Sequence, residues 1–354
     1  MKKCYINGMA CVSAQKTFDA VFMEDAVIDE SRNVLPANEP DYKEFIPPAA
    51  GRRMAKGVKN GIAASTRALQ EAGVQMPDAI ITGTGMGCIN DSEKFLKAII
   101  DNKEEFLTPT SFIQSTHNTV GAQIALGLQC KAYNFTYVNG AVSFESSLID
   151  AKLQIGEEEA STILVGGIEE WALQTNKFLE VAGMIKSADS APFKVLGSKT
   201  TGSVLSEGAV FFVLDDKKQG TTYAELKDVA IFNVLERGEV AEKIETFLES
   251  NKLSVADIDA IVLGYNGDVQ YDDYYTNLAE GVFAATPQIY YKHLSGEFNT
   301  VSAFGLWAAA NIMKTQQIPE ILKVNAIEGE SFNHILLYNQ YRGQDHSLTL
   351  ISKA

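Results

Sequence analysis

Histidine and cysteine are scarce: His117, His293, His334 and His346, and Cys4, Cys11, Cys88 and Cys130, are all that 354 residues contain. No two cysteines form a CxxC pair, so neither a zinc site nor a disulfide framework is expected, and the thiols read as reduced and mostly buried. No apolar run reaches the ~18 residues of a membrane span. Asn7 and Gly8 interrupt the stretch behind Lys2 and Lys3, which argues against a signal peptide and for a cytoplasmic protein. Positive charge is in deficit: 30 Lys and Arg against 45 Asp and Glu give a net charge of −15. Such a body repels polyphosphate and anionic lipid, so neither nucleic acid nor membrane is an expected partner. Familiar catalytic signatures are missing too. There is no GxSxG, no HExxH and no GK[ST], and GTGMG at Gly83–Gly87 brings its third glycine too early for GxGxxG. That run reads as a tight turn where backbone approaches backbone. No metal and no cofactor are expected. Glu157–Glu159 and Asp272–Asp273 read as solvated edges.

What is present is globular. Hydrophobic residues make up 46% and charged residues 21%, which suits a large core and excludes disorder. Strand-like and helical patterns alternate, predicting an α/β layered fold. Strands are expected at 3–12, 79–83, 134–138, 161–166 and 209–214, with helices at 52–73, 119–128 and 142–156. The second part echoes the first, with strands at 222–232 and 260–264, helices at 240–248 and 301–314, and a last strand at 335–338. AIVLG at Ala260–Gly264 mirrors AIITG at Ala79–Gly83. The pattern predicts a duplication, 1–217 and 218–354, divided in the polar stretch Asp215–Thr221.

Seven segments follow in order: LTPTSFIQSTHNTVGAQIALGL, NFTYVNGAVSFESSLIDA, STILVGGIEEW, SAPF, LSEGAVFFVLDD, IDAIVLGYNGD and KHLSGEFNTVSAFG. In this order and spacing the chain resembles the β-ketoacyl synthases of the thiolase-fold condensing enzymes. SEGA, with Glu207, resembles that family's GEGA, and KHLSGE, with Lys292, resembles its K-S-x-x-G-H. The resemblance covers nearly the whole chain, with a shortened C-terminal half. It implies a thiolase-like fold, two α/β halves in a five-layer α-β-α-β-α sandwich, and a dimer.

The resemblance also marks what is gone. The family's nucleophilic cysteine sits between a strand and a helix N-terminus, where thiolate is favoured; here that position is Ala141. The first of the family's two histidines, in H-G-T, corresponds to Tyr265 or Asn266, and the second, ending K-S-x-x-G-H, to Glu297. The histidines donate hydrogen bonds to a thioester carbonyl and an enolate, whereas an ionised glutamate accepts them. The family's glycine-rich C-terminal loop is replaced by IEGES.

Three readings follow. The chain is a non-catalytic, chain-length-factor-type subunit that pairs with an active ketosynthase and meets acyl carrier protein indirectly, in character closest to those of aryl polyene and flexirubin-type pigment pathways. Or it is an acyltransferase using Ser143, Glu297 or His293. Or it is a homodimeric module binding a small ligand in the old acyl pocket. In the first reading, the resemblance points to Phe112, Thr116, His117 and Val120, with Phe144 on the next helix, as candidates to line the interface and the partner's acyl tunnel.

Overall fold

The computed structural model describes residues 2–354. The first part of the chain forms β1 (Tyr5–Val12), β2 (Val34–Leu35), α1 (Pro48–Gly51), α2 (Lys56–Ala72), β3 (Ala79–Gly83), α3 (Ile89–Asp101), α4 (Pro109–Ser115), α5 (Thr119–Leu128), β4 (Tyr133–Tyr137), α6 (Ser143–Gly156), β5 (Thr162–Glu169), α7 (Leu173–Val181), β6 (Leu205–Ser206) and β7 (Gly208–Asp215). The remainder forms β8 (Ala224–Val234), α8 (Val240–Ser250), β9 (Ala260–Leu263), α9 (Asp273–Glu280), β10 (Gln288–Tyr290), α10 (Lys292–Ser295), α11 (Ser302–Thr315), β11 (His334–Tyr341) and β12 (Gln344–Ser352).

Ten strands run in the order β10-β9-β11-β12-β8-β1-β7-β5-β3-β4. Read outward from the middle, β1-β7-β5-β3-β4 and β8-β12-β11-β9-β10 have the same order. They also share the same directions, antiparallel at the first two steps and parallel at the last two. Among the described residues, the two five-stranded arrays pair strand to strand where Tyr5 and Ile6 face Glu225 and Ala224. Ala79–Gly83 and Ala260–Leu263 occupy equivalent places, and both are buried throughout, as expected of parallel strands covered on both faces.

The layers follow from the helices. Every residue of α11 from Ser302 to Ala310 is buried, and a helix apolar all round belongs inside. It lies against β1 and β7 on one side and β11 and β12 on the other, while α6 bridges β3, β5 and β8. These two helices fill the middle layer and carry Phe144, Leu148, Phe304 and Ile312 into one core. Outside it, α2 and α5 cover the first array with Val58, Leu69, Val120 and Ile124. Likewise α8 and α9 cover the second with Ile244, Leu248, Tyr275 and Leu278. The result is a five-layer, thiolase-like fold.

Two expectations need correction. The strand at 335–338 is not the last: β11 turns back at Arg342–Gly343 into β12, which pairs with both β11 and β8. Asp272 is no solvated edge. Its carboxylate accepts from the amides of Asn266 (3.1 Å) and Gly267 (2.9 Å), and burial pushes its pKa up to about 7. Glu157–Glu159 are exposed, and Cys4, Cys11 and Cys88 are buried with Cys130 half-buried. Among the described residues no helix is long and apolar enough to cross a membrane.

Candidate functional site

Three connections converge where the arrays' parallel strands end. The first leads from β4 through the turn Gly140–Val142 into α6 and carries Ala141, 2% exposed. Next to it, Ser143 is fully buried and its hydroxyl is committed locally. Oγ accepts from the Asn139 amide at 2.8 Å and has the carbonyls of Gly140 (2.7 Å) and Thr84 (3.1 Å) as acceptors. No histidine or lysine is within its hydrogen-bonding set, so it lacks the base that a serine nucleophile requires.

The second connection follows β9 and holds Tyr265 and Asn266, both buried. It is clamped by Asp272 from one side. From the other comes Lys186, fully buried, whose Nζ donates to the Gly267 carbonyl at 2.6 Å and to Thr200 Oγ1 at 2.7 Å. Tyr265 packs at a tilt on Tyr275 with centroids 5.1 Å apart, and its ring belongs to the outer core.

The third connection is the turn α10 and the following Gly296–Glu297. Glu297 Oε2 accepts from Lys292 Nζ and from Asn266 Nδ2, each at 2.8 Å. The structure thus brings Asn266, Lys292 and Glu297 into one buried cluster. Chemically it is an acceptor already satisfied by two donors, the reverse of a donor pair waiting for a carbonyl oxygen. His293 turns away from this cluster. Its Nε2 lies 2.9 Å from the Ile321 carbonyl oxygen, its ring stacks on Tyr290, and burial lowers its pKa to about 4.

A cavity of about 300 Å³ opens beside Glu297, walled by Met86, Glu169, Trp171, Leu179, Phe298 and Tyr341, within the size range of small-molecule pockets. Glu169 was not singled out by sequence, although it ends a strand pattern as a charged residue. Its carboxyl accepts from the amides of Gly85 and Met86 and from Thr84 Oγ1. Burial nonetheless pushes its pKa up to about 8. In the GTGMG run backbone does approach backbone, at Gly83, where a Cβ would stand 2.5 Å from the Ser143 carbonyl oxygen, and a Cβ on Gly85 would collide with the Asn299 side chain. Glu207 is fully buried and accepts from Lys56 Nζ (2.6 Å) and the amides of Ala37 (3.0 Å) and Trp171 (3.3 Å).

The candidates for a tunnel wall separate into two groups. Phe112, Thr116 and His117 lie on and just after α4, where all three are exposed and Phe112 packs on Phe95. Val120 and Phe144 are core residues, the first in the outer layer and the second in the middle layer against Phe212.

No curated protein matches the sequence. Solved structures match over the whole chain. A β-ketoacyl synthase from Burkholderia phymatum STM815 is 17% identical with a TM-score of 0.79, covering 100% of both chains. The ishigamide ketosynthase/chain length factor is 16% identical with a TM-score of 0.77, over 100% of this chain and 99% of that one. The ketosynthase ApeO in complex with its chain length factor ApeC, from Xenorhabdus doucetiae, gives 12% and 0.74, over 100% and 98%. At these identities the likeness is one of fold. The sequence itself carries the assignment: the family model of the β-ketoacyl synthase N-terminal domain matches residues 27–220, more than half of the chain, and the protein belongs to the β-ketoacyl synthase family.

Proposed function

We propose that this chain is a non-catalytic subunit of the chain-length-factor type, which pairs with an active β-ketoacyl synthase and shapes that partner's acyl tunnel. The observation that carries the reading is Ala141, a methyl group at the position where the family holds its nucleophile. The Lys292–Glu297–Asn266 cluster supports it, because the place of the second histidine is occupied by a carboxylate turned inward to its own donors. Ser143 and His293, the substitutes an active acyltransferase would use, are both engaged with backbone.

The surface supports a partner. β4 is the last strand on its side of the sheet, so its outer edge has unpaired amides and carbonyls. Tyr133 and Phe135 on it are 45% and 46% exposed. A bare apolar edge invites pairing with another strand. In this reading the ketosynthase supplies that strand antiparallel, as a pseudo-symmetric counterpart; a second copy of this chain is the competing occupant. ApeO in complex with its chain length factor ApeC is a pairing of this kind. The two halves, 1–217 and 218–354, act as one body, carrier protein docks on the active partner, and no cofactor is required. A cytoplasmic aryl polyene-type pathway is the setting that the resemblance favours. Co-expression with candidate ketosynthases, followed by size and native-mass measurement, tests the proposal. A stable one-to-one complex is expected; a chain that stays alone with every candidate and condenses substrate unaided would refute it.

A further inference from the structure

The amide of Ala141 is already taken. Asp345 Oδ2 lies 3.3 Å from it. Gly140, immediately before, has φ +53, and a Cβ there would stand 2.9 Å from the same oxygen. The carboxylate therefore sits in a space that the turn leaves open by having glycine at this position.

Asp345 comes from the far end of the chain, at the start of β12. The hairpin that delivers it bends through Arg342, Gly343 and Asp345 with φ of 54°, 73° and 49°. Two of these are not glycine, a backbone conformation that persists only where the surroundings hold it. Here Gly343 N donates to Gln340 Oε1 at 2.7 Å, Arg342 Nη1 lies 3.5 Å from Asp268 Oδ2, and Tyr341 forms part of the cavity wall. One hairpin thus reaches both the cavity and the turn at Ala141.

The electrostatics are simple. Amides that lead into a helix attract negative charge. In an acyl-carrying site that charge belongs to a thiolate or a carbonyl oxygen. A second anion within a few ångströms of a carboxylate is disfavoured.

We propose that Asp345 is a built-in plug of the former acyl-carrying position. The site is then disarmed twice, by the missing nucleophile at 141 and by a carboxylate held on its amide. This rests on the non-catalytic reading above and identifies the residue that enforces it.

The test uses the purified full chain. Thiolate absorbance is titrated for Ala141→Cys and for Ala141→Cys/Asp345→Asn, each as a difference from the native chain, so that the native cysteines cancel. The introduced thiol should titrate above an ordinary cysteine in the first variant. In the second it should titrate at least one unit lower, roughly tenfold more thiolate at neutral pH. Coincident midpoints, or a thiol that already titrates below the ordinary value with Asp345 in place, would overturn the proposal. Should the cysteine variants not fold, the Ala141 amide proton of the native chain is compared with that of Asp345→Ala. It should move upfield, and an unmoved resonance would overturn the proposal equally. Neither measurement involves a partner or a product, so a failed plug and a failed chain-length role are told apart.

Discussion

Lys292 and Glu297 form an ion pair at 2.8 Å with 1% and 4% of their side chains exposed. Removing one member of a buried pair strands the other, at a cost of about 3–5 kcal/mol, whereas replacing both with apolar groups is far milder. Lys292→Met should therefore lower stability by about that amount in urea denaturation, and Lys292→Met/Glu297→Leu should recover much of it. The same reasoning makes Glu297→His destabilising by itself.

Ser143 should prove structural. Ser143→Ala removes the acceptor of the Asn139 amide, a loss of about 1–3 kcal/mol. It should leave the product of the partnered complex unchanged. Intact mass after incubation with acyl carrier protein substrates should show no adduct on the native chain. A Ser143 adduct, abolished by the variant, would establish the acyltransferase reading instead.

Phe135→Asp places a charge on the bare edge of β4 without touching either core. The chain should keep its thermal stability and elute alone where the native chain elutes with its ketosynthase. An undisturbed complex would move the interface elsewhere.

Phe112→Ala and Thr116→Trp alter residues outside the buried core. In the partnered complex they should respectively lengthen and shorten the product, as measured by mass spectrometry of released chains. Phe144→Ala empties a middle-layer position that is 1% exposed and should cost about 3–5 kcal/mol, a stability effect rather than a change in product length. Unchanged products with both variants at 112 and 116 in an intact complex would reduce this subunit to a stabilising role.

His293 should oppose folding as the pH falls through a defined window, against the pull of Glu169 and Asp272, whose raised pKa values favour the folded chain in acid. Burial lowers the His293 pKa from 6.5 to about 4, so the folded chain holds it neutral while the unfolded chain takes up a proton. Its contribution is complete above about pH 6.5 and is lost as the pH falls toward 4, about 3 kcal/mol in all. Tyr290 covers the ring, and Lys292, Asp29 and Glu30 share its small cavity. The stability difference between the native chain and His293→Phe should shift by about that amount between those limits in denaturant titrations, whatever the carboxylates contribute to both.

The layered fold was legible because its signals are local. Alternating strand and helix patterns, and AIITG echoed by AIVLG, depend on neighbours in sequence. β12 was missed because QDHSLTLIS begins polar and follows a tight turn, so nothing marks a second strand beyond β11. The resemblance, through a known order of segments, is what singles out Ala141 and Glu297. It does not point to their physical partners. Asp345 meets Ala141 across 204 residues, and Asp272 meets the Asn266 loop through backbone amides, which carry no side-chain signature. Glu169 looks like any acidic strand end until its neighbours close over it.

The carboxylate of Asp345 originates in the second five-stranded array, and the amide it meets belongs to the first. The two halves are therefore not exchangeable modules. A recombination event that brought in the second half of an active relative would change the hairpin, and with it the charge beside Gly140, even with the first half left untouched. Inheritance of this site is joint: a mutation that loosens the β11–β12 hairpin acts on Ala141 as directly as one in its own turn.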